Sequence, residues 1–407
     1  MPPVANSSFH SPNSDPARAQ TTIPISLDYS KEPCRASTQL IMRKAIPFNA
    51  ETPLDQLDDE FVTPTQHLFV RTHGPVPELS GHDDHQIVFE GHGVRDGLVT
   101  LTVNDIKTLF EKVSTTAVLM CAGNRRDGLN DVKPTKGVIW GAGTTGNCIW
   151  SGARLCQVLE HIGIPTNPLQ RERKMHVAFN SVEACEEDAN YGASIPLDKA
   201  MDPLGEVLLC YELNGRPLCR DHGAPLRVVV PGHIGARWVK YLSKISIQEE
   251  ESTAFYQQLD YKVLPPSANE LTACEWWNKC PSIQELNVQS VICSPVNNQV
   301  LPAGPVTISG YALSGGGRAI ERVDVSVDGG KEWMVATLNN GQPKAGPVFS
   351  WTLFELSVEF LPEQNEIVCR AFDTSQNTQP DHPLWNYRGV MNNSLFRVHG
   401  VTQSPEV

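Results

Sequence analysis

The chain has 407 residues, enough for two domains, and its 40% hydrophobic and 19% charged residues can bury sizeable cores. Subtracting 46 Asp and Glu from 33 Lys and Arg leaves a net charge of −13, which excludes a dedicated nucleic-acid binder because that needs a basic footprint. No apolar run approaches the length of a membrane span.

Residues 1–45 read as a disordered tail, rich in Ser, Pro and Asn and without the apolar core of a secretory signal. From 46 to 270 short apolar runs alternate with Gly/Pro turns and a few helical patterns, giving a mixed α+β domain. His85–Val94 reads as a strand and Val103–Val113 as an amphipathic helix. A second helix is expected from Trp150, with Leu155, Val158, Leu159 and Ile162 on one stripe and Gly163 as its stop. Helix signals vanish over 271–407. There Val323, Val325 and Val327 alternate, Asp328-Gly329-Gly330 turns, and Glu332–Ala336 returns, one of several short strands that imply an immunoglobulin-like β-sandwich.

The 11 cysteines are odd in number, form no CxxC pair and scatter from Cys34 to Cys369, so they make no disulfide framework. The setting is read as intracellular, cytoplasmic or mitochondrial intermembrane, with most thiols acting as small buried hydrophobes. GAGTTG at Gly141–Gly146 fits a dinucleotide fingerprint, but Glu160 falls inside the expected helix rather than after a second strand. It reads as a glycine-rich strand-to-helix turn without a nucleotide. GHDDHQ around His82 and His85 reads as an exposed turn, and Cys274 and Cys280 lack the partner pair of a zinc site.

The segment AVLMCAGNRRDGL carries more chemistry. An apolar run ends in Cys121, followed by two small residues, Asn124, Arg125 and Arg126. A lone cysteine at a strand end is ordinarily packing; fixed positive charge beside it favours the thiolate, the form that binds soft redox metals.

CAGNRR, Trp140 and GNCIWSGARL resemble the molybdenum-cofactor domain of the sulfite oxidase and plant-type nitrate reductase family. FVRTHGPVP, YGASIPLDKAMDP, RDHGAPLRVVVPGHIGARWVK and WNYRGVMNN extend the resemblance over nearly everything after residue 45, and the sandwich resembles the family's dimerisation domain. The resemblance implies Cys121 as the protein ligand of molybdenum in a molybdopterin cofactor. Phe69, His73, Glu183, His222, Arg227, Arg237 and Lys240 are implied as pterin and phosphate contacts, and Arg71, Arg126, Trp140, Tyr261 and Arg388 as the catalytic set. Thr72, Trp238 and Glu183 depart from the family's usual Asn, Ser and Asp. Two positions separate the branches. Tyr261 in LDYKVLP and Arg388 in WNYRGV are of the sulfite type, where nitrate reductases have asparagine and methionine; Met391–Asn393 leans the other way. The expectation is therefore sulfite oxidation to sulfate, with nitrate reduction as the alternative. Three arginines would hold the oxyanion and favour a Tyr261 phenolate. No haem or flavin is expected, so electrons would pass to an external acceptor, oxygen or a cytochrome, and the chain would form a homodimer.

Overall fold

A computed structural model describes residues 27–35, 39–167, 174–302, 304–341, 345–359 and 366–403. The first domain is built on two five-stranded sheets. One orders Arg216–Pro217, Leu208–Leu213, Thr145–Arg154 and Lys112–Met120, with Arg227–Val229 also paired to Leu208–Leu213. The other orders Leu98–Thr102, Gln86–Gly91, Leu242–Gln248, His176–Ser181 and Gly192–Pro196, with one parallel pair, Gln86–Gly91 beside Leu242–Gln248. Helices Val103–Leu109 and Leu155–His161 bury Val103, Ile106, Leu155, Val158 and Leu159. The first opens with a capping box in which Thr102 accepts from the Asp105 backbone N–H and the Asp105 carboxylate accepts from that of Thr102.

The helix expected from Trp150 begins only at Leu155. Trp150–Arg154 completes a ten-residue strand that pairs residue for residue with Lys112–Met120 on one side and, across a bulge between Cys210 and Glu212, with Leu208–Leu213 on the other. Gly141–Gly146 therefore leads into a strand, and the strand–turn–helix order of a dinucleotide site is absent. Its glycines serve close packing. A Cβ on Gly143 would sit 1.9 Å from the Thr52 carbonyl oxygen, and one on Gly146 would sit 2.5 Å from Leu68.

Eight strands of the second domain form two sheets. One orders Gln289–Ser294, Val306–Leu313, Thr352–Val358, Thr337–Asn339; the other orders Met334–Val335, Ile320–Ser326, Glu366–Asp373, Phe396–His399. In chain order this is first-second-sixth-fifth against fourth-third-seventh-eighth, the immunoglobulin arrangement. Ile292, Val323, Val325, Ile367 and Cys369 fill the space between the sheets. The two domains also share a core: Tyr311, Phe349 and Trp351 of the sandwich belong to the same buried cluster as Cys121, Trp140 and Trp238.

Part of the segment read as a disordered tail is structured. Ile41–Lys44 pairs with Asn49–Glu51, which pairs with Val70–Arg71, and residues 27–35 lie against the first domain through Lys31, Glu32 and Arg35. Residues 1–26 and 36–38 of that segment lie outside the described residues. Among the described residues no helix is long and apolar enough to cross a membrane. No cluster of three or more His, Cys, Asp or Glu with the geometry of a metal site occurs among the described residues, and the exposed turn at His82–Asp84 instead pairs Asp83 with Lys107 at 2.5 Å.

Candidate active site

A pocket of about 590 Å³, part of it open to solvent, lies where the two sheets of the first domain meet the loop after Lys112–Met120. Its lining includes Phe69, Arg71, His73, Cys121, Glu183, His222, Arg227, Lys240 and Tyr261. The strand Lys112–Met120 delivers Cys121 to the floor, where its sulfur accepts from the Gly123 backbone N–H at 3.4 Å. Arg125, with φ of +61°, turns the chain into the helix Arg126–Val132 and donates to the Ser394 carbonyl at 2.8 Å.

The opposite wall is a set of clamped polar groups. Arg71 Nη1 donates to the Thr72 carbonyl at 2.5 Å and to Asn49 Oδ1 at 3.1 Å, and Nη2 faces His73 Nδ1 at 3.2 Å. His73 Nε2 meets the Tyr261 hydroxyl at 3.1 Å. Glu183 Oε1 accepts from the backbone N–H groups of His73 and Gly74 at 3.0 and 3.2 Å. Burial still raises its carboxyl, against the pull of Lys240 and those two donors. Lys240 donates to the carbonyls of Arg71 and Asp221, both at 3.0 Å. Arg227 donates to the His222 and Trp238 carbonyls, each at 3.0 Å. Burial lowers Arg227 to about 10 and His222 to about 4, so the imidazole is neutral near pH 7.

Four expected site residues do not line the pocket. Arg126 lies behind the cysteine loop, where a Cβ on Gly123 or Gly137 would meet its guanidinium at 2.7 or 2.8 Å, and it donates to the carbonyls of Val138 and Gly389 at 2.6 and 2.9 Å. Trp140 is fully buried. Arg388 is tied to Asp260. Arg237 turns away, donating to the Ile283 carbonyl at 2.8 Å and to Gln257. Each is long or bulky, and a motif fixes its position without fixing its direction. The expected Tyr261 phenolate is also corrected: burial pushes the phenol up, outweighing the opposing pull of Arg71, so the hydroxyl is protonated.

Asp260 and Asn49 escaped the sequence reading. Asp260 stood inside the LDYK motif, and its value as a buried counter-ion was a signal within reach. Of the departures, Thr72 binds the Phe48 carbonyl with its hydroxyl at 2.7 Å and takes no part in the lining. Trp238 fills the wall against Trp150, with ring centres 5.5 Å apart.

The donor set fits a metal-bearing anionic cofactor. A soft sulfur lies on the floor and cationic groups on the walls. The buried Nε of Arg227 has no hydrogen-bond partner among the described residues, and buried polar groups are rarely left so.

Residues 73–256 match the oxidoreductase molybdopterin binding domain, and 280–403 match the Mo-co oxidoreductase dimerisation domain. The mitochondrial sulfite oxidase of Homo sapiens is 43% identical over 93% of this chain and 68% of its own length. The chain belongs to the sulfite oxidase family of molybdenum-cofactor oxidoreductases. The Arabidopsis thaliana sulfite oxidase is 42% identical over 91% of this chain and 96% of its own. The crystal structure of the sulfane dehydrogenase SoxCD from Paracoccus pantotrophus superposes with a TM-score of 0.71 at 26% identity, covering 94% of this chain and 92% of that one. The family's mixed α+β cofactor domain and its sandwich are thus both present, and the cofactor is molybdenum held by molybdopterin. The nitrate-leaning Met391–Asn393 lies outside the pocket lining: Asn392 donates to the Arg125 carbonyl at 2.8 Å and Asn393 to that of Val288 at 3.1 Å.

Proposed function

We propose that this chain oxidises sulfite to sulfate, with Cys121 as the protein ligand of molybdenum. The observation that carries the reading is one pocket joining Cys121, Arg71 and Tyr261, with Arg388 held behind it by Asp260. Sulfite and water become sulfate, two protons and two electrons. When bound, the cofactor supplies the oxygen transfer and takes up the electron pair. The chain's own groups bind and orient. Arg71 presents its guanidinium to the oxyanion site, a planar fork that suits oxyanion oxygens, while Arg126 and Arg388 add positive charge from behind the lining. Tyr261 donates its hydroxyl hydrogen to an oxygen at the reacting centre. Trp140 forms an apolar backing that excludes water. Phe69, His73, Glu183, His222, Arg227 and Lys240 cradle the pterin and its phosphate, and Arg237 supports that wall through Gln257. Tyr261 and Arg388 favour sulfite over nitrate.

The enzyme carries neither haem nor flavin, passes electrons to an external acceptor, oxygen or a cytochrome, and assembles as a homodimer through the sandwich. The decisive experiment adds sulfite anaerobically to oxidised, molybdenum-loaded protein and follows the visible thiolate-to-molybdenum absorption. Rapid bleaching that is absent in Cys121→Ala is expected. No bleaching in protein of verified molybdenum content would refute the reading.

A further inference from the structure

Arg71, His73 and Tyr261 form a directional chain. A guanidinium only donates, so His73 Nδ1, 3.2 Å from Arg71 Nη2, must be the acceptor. The imidazole can accept there only with no hydrogen on Nδ1, which in the neutral ring places that hydrogen on Nε2. It is also buried, and burial together with the charges of Arg71, Lys240 and Arg388 disfavours an imidazolium. That leaves Nε2–H, 3.1 Å from the Tyr261 oxygen. The ring has little freedom to turn over. Tyr256 packs edge-on at 4.2 Å and Tyr191 stands at 5.0 Å, while Glu183 holds the peptide N–H groups on either side of the His73 Cα. Gly74 permits this fit, since a Cβ there would lie 1.8 Å from the Ala184 carbonyl oxygen.

We infer that His73 is a positioning residue for Tyr261: its neutral imidazole donates from Nε2 to the phenolic oxygen, which leaves the phenol's own hydrogen to be donated into the pocket. Without that donor the hydroxyl can rotate and point its lone pairs inward. This rests on the proposed sulfite oxidation and gives His73 a task beyond contact with the pterin.

The test has two arms. In holoenzyme labelled with ¹⁵N-histidine, the His73 imidazole, assigned by its loss in His73→Gln, is expected to show the shifts of the neutral Nε2–H tautomer. An imidazolium or the Nδ1–H tautomer would overturn the inference, whatever the substrate proves to be. In steady-state assays normalised to bound molybdenum, His73→Phe is expected to lower kcat on the order of tenfold with little change in KM. His73→Gln, whose amide can donate to Tyr261, is expected to recover most of the loss. Equal impairment of the two variants per bound molybdenum would overturn the positioning role. Wild-type protein that carries molybdenum yet ignores sulfite would refute the proposed function and leave the tautomer result standing.

Discussion

Substituting Arg35 should loosen the cofactor, although Arg35 lies in the segment that reads as a tail. Its guanidinium holds Asp221 with both arms: Nε lies 3.2 and 3.0 Å from the two carboxylate oxygens and Nη2 lies 2.5 Å from Oδ1. Asp221 and His222 line the pocket, and Lys240 is anchored on the Asp221 carbonyl. Exposed pairs contribute up to about 1 kcal/mol, and breaking a buried pair costs about 3–5 kcal/mol. The side chains here are 15% and 16% exposed, which puts the loss in Arg35→Ala near 2 kcal/mol. If opening of this loop gates release, that is about a thirtyfold faster loss of molybdenum. The assay is metal content of holoenzyme after timed incubation and gel filtration, for Arg35→Ala, Asp221→Asn and the double variant. The double variant should lose metal little faster than either single one, because the two substitutions remove the same pair. Burial pushes the Asp221 carboxyl up, but the hydrogen bonds and charge of Arg35 outweigh it and hold it below the usual carboxylate range. The stabilisation is therefore complete above the unfolded carboxyl pKa of about 4 and lost as pH falls through the lower folded value. Release within twofold of wild type in Arg35→Ala, or additive effects in the double variant, would refute the reasoning.

Asp260→Asn removes the counter-ion of Arg388, and kcat/KM for sulfite should fall on the order of a hundredfold; unchanged kinetics would show that Arg388 needs no anchor. Tyr261→Phe should lower kcat by about a hundredfold, the cost of one donor at a reacting centre, and equal turnover would sink its role. His233, outside the pocket lining, is lowered to about 3 by burial and by the charges of Lys199 and Arg237. The unfolded chain binds this proton near pH 6.5 and the folded one does not, so about 2 kcal/mol of stability is lost between pH 7 and pH 5. His233→Gln should flatten the fall in melting temperature over that interval, measured by calorimetry.

What the sequence disclosed followed the range of its signals. Alternation of apolar residues at Val323 and Val325 identified a sandwich strand because a period-two sequence pattern is local, and both side chains are buried in the inter-sheet core. The stripe from Leu155 to Ile162 located a helix for the same reason, but its start was misplaced. What keeps Trp150–Arg154 extended is pairing with strands some 35 to 60 residues away, which no local window contains. Cys121 stood out because sulfur beside two arginines is unusual chemistry, and the structure places it in the pocket lining. The directions of Arg126, Arg237 and Arg388 were not, since each long side chain is fixed by a carbonyl or carboxylate remote in sequence. Arg35 was missed on the same ground, its partner lying 186 residues away.

The site also resolves how an acidic chain can handle an anion. Around the pocket stand Arg71, Arg126, Arg227, Lys240 and Arg388, faced by Glu183, Asp221 and Asp260, and burial favours protonation of Glu183. The local balance is positive although the whole chain carries −13. The two fields predict opposite responses to salt. If the total charge governed capture, sulfite would be repelled and added salt would raise kcat/KM. If the cleft governs, salt screens an attraction and kcat/KM falls as the Debye length shrinks from about 30 Å at 0.01 M to about 8 Å at 0.15 M. The enclosed arrangement of guanidinium groups favours the second outcome. A series in a non-coordinating salt, run with Lys107→Gln as an exposed-charge control, measures the slope. A decline common to both proteins is expected, because Lys107 pairs with Asp83 on the outer surface and lies outside the pocket lining. A rise with salt would mean that long-range repulsion dominates and that the arginines act only after the anion has arrived.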